Sequence, residues 1–432
     1  MASFDRDYDV RTFSPALVAG VPDPATAGWL AATRIAFHQD DSEAAILQGA
    51  IGAIADGRVF TGVYPKQAVP GALDETWPVG TYTGYTKTIN VGGGALVDAY
   101  LISDVTVRPT HKRRGILRHL MTERLQAAAA SGLVLAALTA SESTIYRRFG
   151  FGPSVRGRSI SIRRDLPLEL LTEPTGRVEL ADPRSLAETA RRVFKTFHSR
   201  TPGSVDRQAQ LWDRLLGIRT EEGKADDTLR AAVHLPDDAS SSADIDGYVV
   251  YRMTTGEHRE TLEVVDLVSS DTQSFLGLWR FLGSVDLVST ITQQSAAVDS
   301  PLLHALANSR SLETTREKDH IWMRILDPEA ALAARPYAVD GRVALRVHDR
   351  LGYCDGIFVL DSVGGSATVT RQDDATPDLE FDAATLATLY VGGATVGVLA
   401  EAGLVTEHRA GSVALATAMF APDRPVHAIT EF

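Results

Sequence analysis

Residues 105–120 read VTVRPTHKRRGILRHL, and their pattern is the clearest indication of how the first third of the chain folds. The β-branched run at 105–107 ends at Arg108-Pro109, and the basic turn HKRR follows at 111–114. Apolar residues then recur at helical spacing, at 116, 117, 120, 121 and 125. The pattern predicts a strand, a tight cationic turn and an amphipathic helix that begins after Gly115.

The turn has the properties of an anion site. The N-terminus of a helix presents backbone N–H groups and a partial positive charge, so it binds phosphate. Arg113 and Arg114 add full charges, and Gly115 lets the backbone approach an anion without a side chain in the way. These features indicate a pyrophosphate ligand. The alternative is a solvated basic helix start, which is the usual meaning of a basic run.

A second informative segment follows the expected helix. The run at 133–138 predicts another strand, and SESTIYRRFGFG follows at 141–152. Ser141 or Ser143 could cap a short helix there. Gly150 is then expected to end that helix, and Phe151 to return to the core.

Together the two segments resemble the acetyl-CoA-binding core of the GCN5-related N-acetyltransferases (GNAT). That superfamily has a Q/R-x-x-G-x-G/A turn around the pyrophosphate and a Tyr shortly before Gly-Phe. Here Lys112 stands in the first position of the turn and Leu117 in the last. RPTHKRRGIL and SE-x-x-IY-x-RFGFGP are more similar to the Eis ("enhanced intracellular survival") family of actinobacterial aminoglycoside N-acetyltransferases. The chain also resembles that family in length, in domain order and in ending on Glu431-Phe432.

The resemblance implies acetyl-CoA as the co-substrate. The residues that it places at the coenzyme are Val105, Thr106, Val107, Arg113, Arg114, Gly115, Ile116, Leu117, Arg118, Ser141 and Glu142. A backbone N–H near the splayed end of the strand, at 105–107, would stabilise the oxyanion that develops during acetyl transfer.

Two residues are candidates for proton transfer. A thiol titrates near pH ~8.5 and a phenol near ~10, so Tyr146 can protonate the departing thiolate. The alternative is a tyrosine that packs a helix end. By resemblance, the C-terminal carboxylate of Phe432 is the base, and an ordinary frayed terminus is the alternative. The tail VHAITEF favours an ordered end, with Ile429 and Phe432 as anchors.

Several acidic residues predict a positively charged substrate. Asp104 and Glu431 flank the proposed centre, and Asp40 lies in a loop after the first expected helix. They could hold an aminoglycoside or a similar polyamine, or they could be solvated, as most carboxylates are. The net charge of −12 favours cationic ligands and disfavours nucleic acid. The histidines lack metal-binding spacing, so we expect no metal.

Three units are expected in an α/β (α+β) chain, at 1–155, 156–320 and 321–432. Aligned without gaps, DVTVRPTHKRRGILRHL at 104–120 lies over DLVSSDTQSFLGLWRFL at 266–282. The basic residues at 112–114 become Ser274, Phe275 and Leu276, so a genuine repeat would keep the fold without the phosphate chemistry. Chance identity is the alternative. The resemblance implies tandem GNAT domains, the second degenerate, followed by a sterol-carrier-like domain.

Other features bound the remaining possibilities. The single cysteine, Cys354, predicts a reducing compartment and a buried core residue. Neither a signal peptide nor a membrane span is expected, so we predict a cytoplasmic protein without a membrane partner. The resemblance implies a homo-oligomer, specifically a hexamer. The rival functions are a protein lysine acetyltransferase and a non-catalytic lipid-binding or scaffold protein.

Overall fold

The structure is a computed structural model that describes residues 4–67, 69–71, 73, 76–164, 167–255 and 260–432. Its strands are β1 Tyr8–Phe13, β2 Leu17–Val18, β3 Val21–Pro22, β4 Val59–Pro65, β5 Gly80–Asn90, β6 Leu96–Val107, β7 Leu135–Leu138, β8 Gly152–Arg163, β9 Arg177–Ala181, β10 Leu229–Leu235, β11 Gly247–Thr255, β12 Glu260–Ser269, β13 Val288–Ala296, β14 Leu312–Ile325, β15 Gly341–His348, β16 Gly356–Val363, β17 Ser366–Arg371, β18 Leu379–Asp382 and β19 Thr406–Glu407. Its α-helices are α1 Phe4–Asp7, α2 Pro24–Ala36, α3 Glu43–Ala55, α4 Ile116–Ala130, α5 Ser143–Tyr146, α6 Ala187–Arg200, α7 Ala209–Leu215, α8 Thr272–Ser284, α9 Leu302–Ala305, α10 Pro328–Ala334, α11 Ala383–Leu389, α12 Val396–Glu401 and α13 Ser412–Met419.

One twelve-stranded sheet runs through the first two units, in the order β1-β4-β5-β6-β7-β14-β8-β13-β12-β11-β10-β9. Its two halves repeat each other. β6 lies parallel to β7, and β12 lies parallel to β13, while α4 and α8 follow β6 and β12 along the chain. The repeat predicted from the alignment of 104–120 with 266–282 is therefore present in the fold, and the two copies meet at the centre of a single sheet.

The central strands β8 and β14 are shared between the halves. The first part of β8, with Gly152 and Val155, pairs with the last part of β14, and that part of β14 also pairs with β7. The last part of β8 pairs with β13 of the second half. Both expected boundaries, at 155/156 and 320/321, consequently fall inside strands, because each half of the sheet takes one strand segment from the other.

The third unit is a five-stranded sheet, ordered β17-β16-β15-β18-β19, with α10 to α13 around it. Asp382 caps α11 by accepting a hydrogen bond from the backbone N–H of Thr385, and Gly392 follows the helix at φ 84°. Helix α11 lies directly on β8, where a Cβ at Gly152 would stand 2.0 Å from the Ala384 carbonyl oxygen. The third unit is thereby fixed against the centre of the large sheet.

The buried residues of this junction form a shared core. Leu101 and Leu135 of the first half, Ile321 of β14, and Leu345 and Leu386 of the third unit belong to one cluster. Cys354 lies in the same cluster with no exposed surface, as predicted, and burial raises the pKa of its thiol. Among the helices that the structure describes, none is both long and apolar enough to cross a membrane.

Candidate active site

The site begins where two parallel strands separate. The pairing of β6 with β7 runs from Ala99/Leu135 to Ile102/Leu138 and ends there, although β6 continues to Val107. On its other side the register of β6 against β5 shifts between Thr81 and Thr83, and Asp104 adopts a positive φ of 54° at this bulge. A β-bulge bends its strand, so β6 turns away from β7 and opens a wedge. The splay expected at 105–107 is present in this form.

The cationic turn lies at the end of the same strand. Gly115 is the N-cap of α4 with φ 84°, and a Cβ there would meet open space. Glycine is therefore needed for the backbone conformation and for access rather than for packing. Among the residues that the structure describes, no side-chain oxygen caps the first turn of α4, and the side chains of Arg113 and Arg114 are exposed. The turn thus presents backbone N–H groups beside two guanidinium groups, which suits a pyrophosphate.

The corresponding turn in the second half is closed. Helix α8 begins at Thr272, which is equivalent to Thr110, so residues that form an open turn in the first half are helical in the second. The Asp271 carboxylate accepts from the backbone N–H of Ser274 in a capping box, and it occupies the end of the helix with a negative charge. A Cβ at Gly277, the counterpart of Gly115, would stand 2.6 Å from the ring of His234. Glycine at this second position therefore serves packing.

A cavity of about 500 Å³ lies at the wedge between the three units. Its walls come from α2 and α3, the ends of β6 and β7, α5, α7 with the loop after it, and the C-terminus. The lining residues of the first half are Leu30, Thr33, Arg34, Phe37, Gln39, Ala45, Gly49, Ala53, Arg58, Phe60, Ile102, Ser103, Asp104, Val105, Leu138, Thr139, Ala140, Ser141 and Tyr146. Those of the remaining chain are Gln208, Gln210, Leu211, Arg214, Arg219, Thr220, Glu221, Glu431 and Phe432.

Tyr146 is the last residue of α5 and reaches the cavity from the wedge. Its side chain is 7% exposed, and burial, followed by the nearby charge of Glu142, raises the pKa of the hydroxyl to about 12. Glu142 is the N-cap of α5 without a side-chain hydrogen bond, so the expectation that Ser141 or Ser143 caps this helix is wrong. Gly150 follows at φ 81°, and Phe151 is fully buried, as predicted.

The C-terminal residues pass between the units into the same cavity. Thr430 donates a hydrogen bond to the Val205 carbonyl oxygen at 2.6 Å, and Gln208 donates to the Glu431 carbonyl oxygen at 2.6 Å. At the terminus, Thr139 donates to an oxygen of Phe432. Because Thr139 directly follows β7, the terminal carboxylate lies at the end of this strand, and Phe432 and Tyr146 both line the cavity.

The proposed acidic residues lie in different surroundings. Asp104 lines the cavity, its carboxylate 3.4 Å from Arg58, and burial raises its pKa against the effect of Arg58. Burial would also raise the pKa of Glu431, but Lys318 at 3.0 Å outweighs it, and the pKa is lowered. The Asp40 carboxylate accepts from Ser42 within its own loop and does not belong to the cavity lining.

Some of the proposed coenzyme residues line the cavity, and others lie outside its lining. Ser141 and Val105 line the cavity, and Glu142 lies next to Ser141 in the chain. The hydroxyl groups of Thr106 and Thr81 are hydrogen-bonded to each other, with 2.7 Å between their oxygens. The side chains of Val107, Ile116 and Leu117 pack into the core behind the turn, and Arg118 is exposed beside it. These last residues could contact a coenzyme through their backbone.

Sequence reasoning missed the wall from the second half and the arginines of the cavity. Gln208, Arg214 and Glu221 come from α7 and its flanks, far from the wedge in sequence. Asp56 fixes α7 in place by accepting from the backbone N–H of Ala209 at 2.8 Å. The degenerate half therefore supplies part of the site itself. Among the described residues, no group of three His, Cys, Asp or Glu side chains could hold a metal ion.

Comparisons with known proteins agree with this architecture. Residues 22–154 and residues 203–325 each match a family described as an acetyltransferase (GNAT) domain, and residues 328–428 match a sterol carrier protein domain. A GCN5-related N-acetyltransferase from Anabaena variabilis shares the fold with a TM-score of 0.79, over 98% of this chain and 100% of that one, at 20% identity.

Relatives of higher sequence identity show the family. An N-acetyltransferase of Streptomyces griseus is 33% identical over 82% of this chain and 86% of that protein. The N-acetyltransferase Eis of Mycobacterium tuberculosis is 30% identical over 80% of this chain and 83% of that protein. The crystal structure of Eis1 from Mycobacterium abscessus superposes with a TM-score of 0.73 at 30% identity, over 86% of this chain and 90% of that one. The chain belongs to the Eis family of GNAT N-acetyltransferases, with two GNAT domains followed by a sterol-carrier-like domain.

Proposed function

We propose that this enzyme transfers the acetyl group of acetyl-CoA to a small-molecule amine in the cavity between its three domains, with Tyr146 as the acid and the Phe432 carboxylate as the base. The observation that supports this most strongly is the meeting of both groups in one cavity, beside the splayed end of β6. Bound acetyl-CoA would supply a thioester carbonyl at the wedge.

The chain provides three functions for the transfer. The amine nitrogen forms a bond to the carbonyl carbon while the carbon–sulfur bond breaks. The amine proton passes to the Phe432 carboxylate, directly or through water, and the thiolate receives the proton of the Tyr146 hydroxyl. Backbone N–H groups of β6 near Val105 would face the carbonyl oxygen as its negative charge develops. A pKa of about 12 keeps Tyr146 protonated at neutral pH, as its role requires.

A small molecule fits this cavity better than a protein lysine does. The site has walls from all three domains, with the C-terminal residues among its lining, whereas a protein substrate needs an open groove. A volume of about 500 Å³ lies in the range of ordinary small-molecule sites. The exposed cationic turn beside it argues against a purely lipid-binding or scaffold role. A turn that had lost phosphate binding is expected to resemble the closed turn of the second half, and this one does not.

Aminoglycosides are the substrates that the family resemblance implies, and the same resemblance implies a hexamer. A polycation binds best where several carboxylates are unpaired. Asp104 and Glu431, the acidic residues expected to hold such a substrate, are paired here with Arg58 and Lys318. The proposed substrate is therefore an amine, and polycations are one class of amine to be assayed.

The test of the proposed function is CoA release with a panel of amines and the full-length enzyme. We expect release that depends on both the enzyme and an amine, with an acetylated amine as the product by mass spectrometry. Binding of acetyl-CoA without amine-dependent release, for every amine in the panel, would overturn the proposal.

Coenzyme binding should depend on the two exposed arginines of the turn. Each guanidinium would make charge-assisted hydrogen bonds to phosphate, worth about 1.5–3 kcal/mol. The double variant Arg113→Ala/Arg114→Ala should therefore bind acetyl-CoA at least about tenfold more weakly by calorimetry. The control is Arg280→Ala in the second GNAT domain, which should bind as the unmodified enzyme does. Equal affinity of the double variant would remove the pyrophosphate assignment.

The second GNAT domain should not bind the coenzyme. Its helix α8 is capped by the Asp271 carboxylate, which would repel a phosphate at the place where α4 offers backbone N–H groups. Calorimetric titration with acetyl-CoA should give one equivalent per chain. Two equivalents of similar affinity would contradict the closure of the second site.

A further inference from the structure

The charges of the cavity point to a different substrate class from the one that net charge predicts. The described lining residues include four arginines, which face three side-chain carboxylates and the terminal carboxylate. The whole chain has a net charge of −12, yet the lining is formally neutral, four positive groups against four negative. Which of these charges are already neutralised then decides what the cavity attracts.

The side-chain carboxylates are already paired. Asp104 lies 3.4 Å from Arg58, and Glu431 lies 3.0 Å from Lys318, which is outside the lining. Glu221 accepts from Arg34 at 2.9 Å. In each case the carboxylate charge is compensated before a substrate arrives, so a second or third ammonium group of a substrate would have to break an existing ion pair.

Within the described part of the chain, two of the arginines are only weakly paired. Arg214 lies 3.8 Å from Glu221, and Arg219 lies 3.9 Å from Asp213, distances too long for hydrogen bonds. Arg219 also donates to the Gln48 side chain at 3.3 Å, which is a neutral partner. Their side chains are 53% and 40% exposed, and both line the cavity. A guanidinium has five N–H donors in a planar fork that matches carboxylate and phosphate oxygens.

We infer that Arg214 and Arg219 bind an anionic group of the substrate, and that the enzyme prefers amines with a carboxylate or phosphate over polycations. This rests on the proposed function, since it concerns the amine of the same reaction. The only cavity carboxylate without a cationic partner among the described residues is that of the terminus, which the reaction needs for one amino group. A substrate with an ammonium group for the terminal carboxylate and an anionic group for the two guanidinium groups therefore suits the charges of the cavity.

The test compares amines that differ by a single anionic group. Glucosamine 6-phosphate differs from glucosamine by a phosphate, and lysine differs from cadaverine by a carboxylate, while kanamycin represents the polycations. We expect a kcat/KM at least about tenfold higher for the anionic member of one pair or of both, and the pair concerned identifies the anion. Kanamycin should be a poorer substrate than the preferred anionic amine.

The double variant Arg214→Gln/Arg219→Gln assigns the effect to these residues. It should lose the preference between the paired amines, chiefly through KM, while its Kd for acetyl-CoA and its melting temperature stay unchanged. Arg184→Gln is the matched control, because Arg184 is also 40% exposed in the second GNAT domain but does not line the cavity. It should behave as the unmodified enzyme does.

These experiments distinguish failure of the inference about the anion from failure of the proposed acetyltransferase function. If paired amines are acetylated equally, or kanamycin best, the inference about the anion is wrong while the acetyltransferase function stands. A loss of acetyl-CoA affinity in the double variant would mean that these arginines serve the coenzyme, and would also overturn the inference. Failure of every amine to release CoA would overturn the proposed function together with it.

Discussion

Replacing Tyr146 by Phe should lower kcat by about 10²–10⁴-fold, the usual contribution of a general acid. The substitution keeps the ring, which packs at the edge of Phe151 with 6.2 Å between ring centroids, and deletes only the hydroxyl. The Kd for acetyl-CoA should change little, because the hydroxyl acts on the leaving sulfur rather than on the phosphates. The measurement is steady-state CoA release with calorimetry on the same preparation.

The pH dependence adds a second readout for this residue. Because burial raises the pKa of Tyr146 to about 12, its hydroxyl remains a proton donor above pH 10, where a free tyrosine would ionise. The kcat of the unmodified enzyme should therefore not decline between pH 8 and about 10 through loss of this proton. Tyr353→Phe is the control, a tyrosine outside the cavity. A near-normal kcat for Tyr146→Phe would make Tyr146 a structural residue.

The first half of the site was predictable because its signals are local. The basic turn and α4 lie within one continuous segment, 105–130, and the strand, the turn before Gly115 and the apolar helix face all follow from residue types at fixed spacing. The degenerate repeat was visible for the same reason. The sequence did not indicate that α8 begins earlier than α4 does in the aligned segments. That start depends on the capping box between Asp271 and Ser274, and an alignment of residue identities does not detect such a cap.

The rest of the site depends on contacts between distant residues. Arg34 meets Glu221 across 187 positions, and Thr139 meets Phe432 across 293. Such pairs leave no periodicity in a single sequence, so the wall formed by α7 and the arginines of the cavity were missed. The net charge of −12 also differs from the formally neutral lining, because the fold decides which charges are brought together and paired.

Adding one glycine after Phe432 should lower kcat by at least about 100-fold. The extension converts the Phe432 carboxylate into a neutral amide and moves the negative charge by about 3.3–3.6 Å. A misplacement of about 1 Å in a catalytic group can already cost ~10²-fold. The preceding residues hold the end firmly, through Thr430 on Val205 and Gln208 on Glu431, so the chain cannot slide to restore the position. Folding should survive, because the added residue removes no core contact.

Two controls distinguish loss of the Phe432 carboxylate from loss of its side chain and from the general effect of adding a residue to the chain. Phe432→Leu keeps the terminal carboxylate and an apolar side chain, so it should retain most of the activity. An N-terminal glycine extension should leave kcat unchanged. Both variants should melt at the temperature of the unmodified enzyme, and their affinity for acetyl-CoA should be the same.

The kcat of the enzyme extended by this single glycine decides whether the Phe432 carboxylate is the base, because the extension changes that group and little else. We expect kcat to fall by at least about 100-fold, with unchanged melting temperature and unchanged Kd for acetyl-CoA. A fully active extended enzyme would contradict this role and would show that the amine proton goes to another group, for which the adjacent Glu431 is the next candidate.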